Sequence, residues 1–199
     1  DAAFAPLAGA FVLDGGGPRF MQDRDALHGE TVPVASLLID APGANTLKKN
    51  RDLFVRRASV PALGRAAAAM ALFTVQTYAP SGGAGHRTSL RGGGPLTSLV
   101  LPPADDGAPS LWRTVWLNTY WAHDWPDPFV DIGGIFPWLT TTRTSEAGET
   151  TTPGDVHPAQ CCWGMPRRIR LDFTPREDGT PRCAISGRAD DVMVATYRT

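Results

Sequence analysis

At 199 residues, 42% hydrophobic and 20% charged, the chain has enough apolar mass for one hydrophobic core, and no apolar run reaches the roughly 18 residues that a membrane span needs. Its three cysteines, two of them adjacent, make no disulfide framework and point to a reducing, cytoplasmic setting. The formal net charge of -1 conceals a basic block: Ala44 to Arg91 carries eight basic residues against one acid, Asp52, which favours an anionic partner, an ordinary solvated face being the alternative.

The first residues contain no basic segment followed by an apolar core, so no leader is expected, and the ends at Asp1 and Thr199 suggest a piece of a longer protein. From Ala2 to Leu13, Phe4, Leu7, Ala8, Phe11 and Val12 fall at helical spacing, and Gly15-Gly16-Gly17-Pro18 stops the pattern. Arg19 to Gln22 is extended at most. Val34 to Ile39 reads as a short helix or strand with Pro33 at its start. Asp40 to Asn50 is a loop by composition, turning at Pro42-Gly43 and running into Lys48-Lys49-Asn50-Arg51.

Ser59 has the chemistry of a helix N-cap, with Pro61 in the first turn, and the segment to Tyr78 is the clearest helix. Leu63, Ala67, Met70, Phe73 and Thr77 share one face; Ala71, Leu72 and Val75 cover another. No charge follows Arg65, so burial on most sides is expected. Ala79-Pro80 ends the helix, because a residue before proline leaves the α region.

Ser81 to Gly94 then packs six glycines into fourteen residues, interleaved with His86, Arg87 and Arg91. Glycine permits positive φ and close backbone approach. Such a loop suits a polyanion gripped by main-chain N–H groups and a few cations; tight turns alone are the other reading. Pro95 to Leu101 reads as a short strand closed by Pro102-Pro103. Leu111 to Trp121 reads as a second helix, whose stripe Trp112, Trp116 and Tyr120 is expected in the core, base stacking being the alternative. Trp125 to Ala159 reads as a long irregular connection containing Thr140-Thr141-Thr142. Arg167 to Phe173 alternates strictly, with Ile169, Leu171 and Phe173 on one side, and is expected to form a hairpin with Arg182 to Ile185; Val192 to Tyr197 would add a third antiparallel strand. The class is α+β, with few helices, a late antiparallel sheet and long irregular loops.

Enzymatic motifs do not match. The glycine loop lacks the Gly-Lys-Ser/Thr of a phosphate-binding P-loop, and Gly83-Ala84-Gly85 lacks the third glycine of a dinucleotide fingerprint. His28, His86, His123 and His157 are scattered singly, and Cys161, Cys162 and Cys183 cannot supply four zinc ligands. His123-Asp124 with Asp127 is a weak metal candidate in a proline-rich segment. Neither cofactor, metal nor catalysis is expected, although a phosphate- or nucleotide-binding enzyme domain built on the glycine loop stays as the alternative.

The run Ala68 to Phe73, then Gln76, Ala79-Pro80 and Gly82-Gly83-Ala84-Gly85-His86-Arg87-Thr88-Ser89-Leu90-Arg91-Gly92-Gly93-Gly94-Pro95-Leu96-Thr97, resembles the large subunit (CasA) of the type I-E CRISPR surveillance complex Cascade. Phe20-Met21-Gln22 and Gly43-Ala44-Asn45 fit the same order. The similarity is dense from about Phe20 to Leu101 and thin afterwards. It implies that the chain is part of a single N-terminal α+β domain, without the four-helix bundle that follows in the family. It also implies a subunit near the 5′ end of the guide RNA that reads a protospacer-adjacent motif in duplex DNA, chiefly from the minor groove, and helps open the duplex.

The family's glycine loop maps onto Ser81, Gly82, Gly83, Ala84 and Gly85, with His86, Arg87 and Arg91 beside it at the DNA. Its RNA- and complex-contacting loop maps onto Asn45, Lys48, Lys49, Asn50 and Arg51. Ser81 and Ala84 stand where relatives can have glycine, and the family's lysine finger and glutamine wedge would fall beyond Thr199. The implied partners are guide RNA, double-stranded target DNA, the other Cascade subunits and a helicase-nuclease recruited on target binding. A narrow groove with a degenerate code suits a side-chain-poor loop, while Arg87 and Arg91 would hold phosphates.

Overall fold

The computed structural model describes residues 4–41, 43–53, 59–79, 85–91, 99–103, 110–119, 132–146, 148–175 and 181–199. The architecture is α+β, organised around one strand. That strand, β4 (Val192–Arg198), pairs antiparallel with β1 (Thr31–Pro33), β2 (Leu63–Gly64) and β3 (Arg170–Pro175). β3 runs along its whole length, whereas β1 meets its end and β2 its start. β1 and β2 therefore share one edge of β4, and β3 takes the other. Met193, Val194 and Tyr197 of β4 are buried, as a central strand requires.

Ile169 and Leu171 face the core as the alternation predicts. The expected hairpin with Arg182 to Ile185 does not form. Among the described residues Arg182 bridges only to Ala189, and β3 pairs instead with β4, which offers a longer apolar face.

The long helix, α2 (Arg65–Tyr78), starts five residues later than Ser59 implied. Leu63-Gly64 is spent on pairing with Met193-Val194. The cap comes from far away in sequence: the Arg65 backbone N–H donates to Asp190 Oδ2 at 2.8 Å. A Cβ on Gly64 would sit 3.1 Å from that carboxylate oxygen, so the small residue admits the cap. The buried face is Ala67, Ala68, Ala71, Leu72, Val75, Gln76 and Thr77; Met70 and Tyr78 are exposed, so α2 is one-sided rather than enclosed.

Elsewhere the segment after Phe4 is a 3-10 helix, Ala5–Phe11, not an α-helix. Val34–Leu37 is likewise 3-10 and follows β1. Residues 99–101 are not strand, and the rest of the expected strand lies outside the described residues. α3 (Leu111–Leu117) is capped by Ser110, whose Oγ accepts from the Arg113 N–H. Its Trp112 and Trp116 stack on each other at 6.1 Å yet stay exposed, against the expectation of core packing; Tyr120 lies outside the described residues. The stretch expected to be irregular holds α4 (Ile132–Ile135), a 3-10 turn at Pro137–Leu139 and another at Pro158–Cys162. It also supplies the centre of the aromatic core. Trp138 is fully buried, donates its Nε1–H to the Ala10 carbonyl at 2.6 Å, and is ringed by Phe11, Phe20, Phe136 and Trp163. Among the described residues no helix is long and apolar enough to cross a membrane.

Candidate nucleic-acid interface

The basic segment expected as a loop is a helix with a tight end. α1 (Ala44–Lys48) closes when the Asn50 N–H donates to the Leu47 carbonyl at 3.0 Å and the Arg51 N–H to the Thr46 carbonyl at 3.0 Å. Those two bonds form a Schellman motif, with Asn50 in its left-handed position at φ 49°. Asparagine tolerates that conformation better than most residues. The turn leaves Lys48, Lys49, Asn50 and Arg51 all exposed, three cations on one short ledge. Asn45 belongs to α1, but its side chain lies outside the described set.

The glycine loop is seen from its feet. Ser81, Gly82, Gly83 and Ala84, and Gly92 to Gly94, lie outside the described residues. Gly85 sits at φ 81°, a conformation that side chains resist, and its N–H donates to Ser145 Oγ at 3.2 Å. From there the chain runs beside 143–145: the Ser145 N–H donates to the His86 carbonyl and the Thr88 N–H to the Arg143 carbonyl.

The side chains expected to hold phosphates point inward. Arg87 is 9% exposed. It donates to the Pro137 carbonyl at 2.7 Å and to Thr142 Oγ1 at 2.8 Å, and approaches Asp23 at 4.0 Å. Burial pushes its pKa down to about 10, against the opposing pull of Asp23. Asp23 is itself fully buried and receives the Arg168 Nε–H at 2.9 Å. Burial alone would raise the Asp23 pKa; the bond from Arg168, the Asp25 N–H and the charges of Arg168 and Arg87 together bring it below the ordinary 3.8.

Arg91 turns back to α2 and donates to the Thr77 carbonyl at 2.5 Å, with its guanidinium lying against Gly164. His86 accepts the Arg168 backbone N–H on Nδ1 at 3.3 Å; burial, then the charges of Arg167 and Arg168, lower its pKa below 6.5. The imidazole is therefore neutral near pH 7. Arg87 is buried with both terminal nitrogens bonded, to Thr142 and Pro137, and only its Nε without a described partner, so it anchors the loop; Arg91 acts in the same way at the helix end.

Sequence reading missed Asp23, Thr142, Gly164 and Arg168, which fix these anchors. Thr142 stood in a polar run without periodicity, and Asp23 only follows the Phe20-Met21-Gln22 stretch. Gln76, by contrast, is fully buried, receiving the Arg167 N–H and donating to the carbonyls of Arg167 and Met21. Among the described residues no group of three His, Cys, Asp or Glu side chains could hold a metal ion.

A family model described as CRISPR-associated protein Cse1 matches residues 1–199. No curated protein matches the chain.

Proposed function

Because the chain belongs to the Cse1 family of CRISPR-associated proteins, the large subunit of type I-E Cascade, we propose that it reads the protospacer-adjacent motif of duplex DNA with the Ser81 to Gly85 backbone and aids strand opening in antiviral defence. Its partners in that reading are the other Cascade subunits, guide RNA, double-stranded target DNA and the helicase-nuclease that engaged target recruits, and its residues belong to one N-terminal domain.

The observation that supports it is the anchoring of both feet of the glycine loop. One foot is the C-terminus of α2, held through Arg91 to Thr77; the other is Gly85 to Thr88, held by Arg87 and by the ladder to 143–145. A bare-backbone segment fixed at both ends loses little conformational freedom on binding and so suits the shallow discrimination of a minor groove. The exposed ledge Lys48, Lys49, Asn50 and Arg51, with Asn45, is read as the contact to guide RNA and neighbouring subunits.

The test is Gly83→Asp in the reconstituted complex, read by duplex binding with and without the motif. Loss of motif-dependent binding with assembly intact is expected. Unchanged discrimination would reject the reading.

A further inference from the structure

We propose that the cavity between β3, the end of β4 and the turn carrying Asp14 and Arg19 is a binding site for a phosphate ester, held by Arg170 and Arg198. The cavity encloses about 390 Å³, the size of a nucleotide pocket, and its charged lining is three arginines, Arg19, Arg170 and Arg198, against two aspartates, Asp14 and Asp172.

The arrangement sets like charges beside one another. Arg170 and Arg198 stand directly opposite each other across the β3–β4 ladder. Like charges in register across two strands repel. Arg19 adds to the crowding: after burial, its charge is the next cause lowering the Arg170 pKa, outweighing the opposing pull of Asp23, Asp14 and Asp25. The two aspartates do not answer for all three. Asp14 pairs with Arg19 at 3.2 Å, and Asp172 with Arg198 at 3.4 Å. Arg170 makes no ion pair among the described residues.

Arg170 and Arg198, which line the cavity, have donors left over. Arg19 is spent: Nε on the Gly15 carbonyl, Nη1 on the Leu171 carbonyl and Nη2 on Asp14, while its guanidinium lies over the Phe173 ring at 5.6 Å. Arg170 uses only Nη1, on the carbonyls of Asp23 and Arg24, so Nε and Nη2 have no partner among the described residues. Arg198 likewise uses Nε and Nη1 and keeps Nη2. An anion between Arg170 and Arg198 would accept from those nitrogens and cancel the repulsion. Tetrahedral phosphate oxygens match a guanidinium edge in two-point fashion, and the Arg19–Phe173 pair walls the rest of the space with a flat apolar surface.

The phosphate could be that of a free nucleotide or of an RNA strand, and titration calorimetry on the full-length protein separates the two. Adenosine 5′-monophosphate, adenosine and a short single-stranded RNA are the probes. Saturable binding of the monophosphate without competition from RNA supports a free nucleotide. RNA binding displaced by the monophosphate supports a backbone phosphate. In either case Arg170→Gln should weaken the monophosphate about tenfold or more, as loss of a charge-assisted pair implies. Its melting temperature should hold or rise, because the amide can still serve a carbonyl and the charge facing Arg198 is gone. Arg198→Gln should weaken binding in the same direction and stands in if Arg170→Gln fails to fold. Equal binding of adenosine and its monophosphate, no saturable binding of either phosphate probe, or undiminished binding in both variants would overturn the proposal.

Discussion

The Arg91 guanidinium donates to the carbonyl of Thr77 at 2.5 Å, so the far side of the glycine loop is stitched to the last turn of the helix that leads into it. The last carbonyls of a helix lack intrahelical partners, and a cation there also answers the helix dipole. The stitch depends on Gly164, where a Cβ would collide with the Arg91 guanidinium. Gly164→Ala should push Arg91 off Thr77. Arg91→Met, which keeps the apolar stem, should lose about 1.5–3 kcal/mol, the usual worth of a hydrogen bond to a charged group. Thermal melts check both, and a Gly164→Ala protein as stable as the parent would refute the stitch.

Asp23 sets an acid limit on stability. Its folded-state pKa lies below its unfolded value of 3.8, so the unfolded chain binds the proton first. The stability it contributes is complete above pH 3.8 and is lost as pH falls through the lower folded value. Asp23→Asn should flatten that acid limb. It should also cost about 3–5 kcal/mol near neutrality, because two arginines are left without their buried counter-charge. Denaturant melts across the acid range measure both effects.

His86 works in the same sense at higher pH. Burial and the charges of Arg167 and Arg168 hold its folded pKa below 6.5, so the unfolded chain again binds the proton first. Stability is therefore favoured above pH 6.5 and eroded as pH falls through the folded value. The Cε1–H resonance of His86 should titrate with a midpoint below 6.5. His86→Asn, whose Oδ1 can accept the Arg168 N–H, should remove this part of the pH dependence.

Arg87 and Lys49 should separate in a salt titration of nucleic-acid binding. Lys49 is exposed, so Lys49→Ala should lower the salt slope by about one while leaving the melting temperature unchanged. Arg87 is buried among Pro137, Thr142 and Asp23. Arg87→Ala should leave the slope per bound complex nearly unchanged and lower the melting temperature instead. A unit change in slope for Arg87→Ala with a parental melting curve would restore it as a phosphate contact.

The sequence made the existence of α2 plain, since fourteen residues free of proline end on Ala79-Pro80, but not its start. The true cap, Asp190, stands 125 residues from Arg65, and Ser59 offered a local alternative that the fold does not use. The strand expected over Arg167 to Phe173, observed as Arg170–Pro175, was legible from its alternation, which reports burial of one face and is silent about the neighbour. The direction of the arginines was hidden for a related reason. Charge is written in the sequence; the buried acid that turns Arg87 inward lies 64 residues earlier and belongs to no motif. The ledge at Lys48 to Arg51 was recognisable by charge, though its helical form depends on Asn50 accepting positive φ.

Sequence and structure part most clearly at the tryptophans. Trp112 and Trp116 sit four apart on α3 with Leu111 and Val115, a pattern that ordinarily marks a core-facing helix. Instead Trp112 is 75% exposed, and the core tryptophan is Trp138, from a segment without periodicity. The difference is chemical as well as geometric. Trp138 has an indole N–H satisfied by the Ala10 carbonyl and four aromatic neighbours, whereas Trp112 has one described ring partner, its neighbour on the same helix. Trp138→Ala should therefore cost about 3–5 kcal/mol and leave the Ala10 carbonyl buried without its donor. Trp112→Ala should cost less than about 1 kcal/mol, since it removes an exposed stacked pair and little buried area. Denaturant melts of the two variants measure the gap directly. If Trp112→Ala proved as damaging as Trp138→Ala, α3 would have to be packed against the protein, and the exposed placement of its aromatic stripe would be wrong.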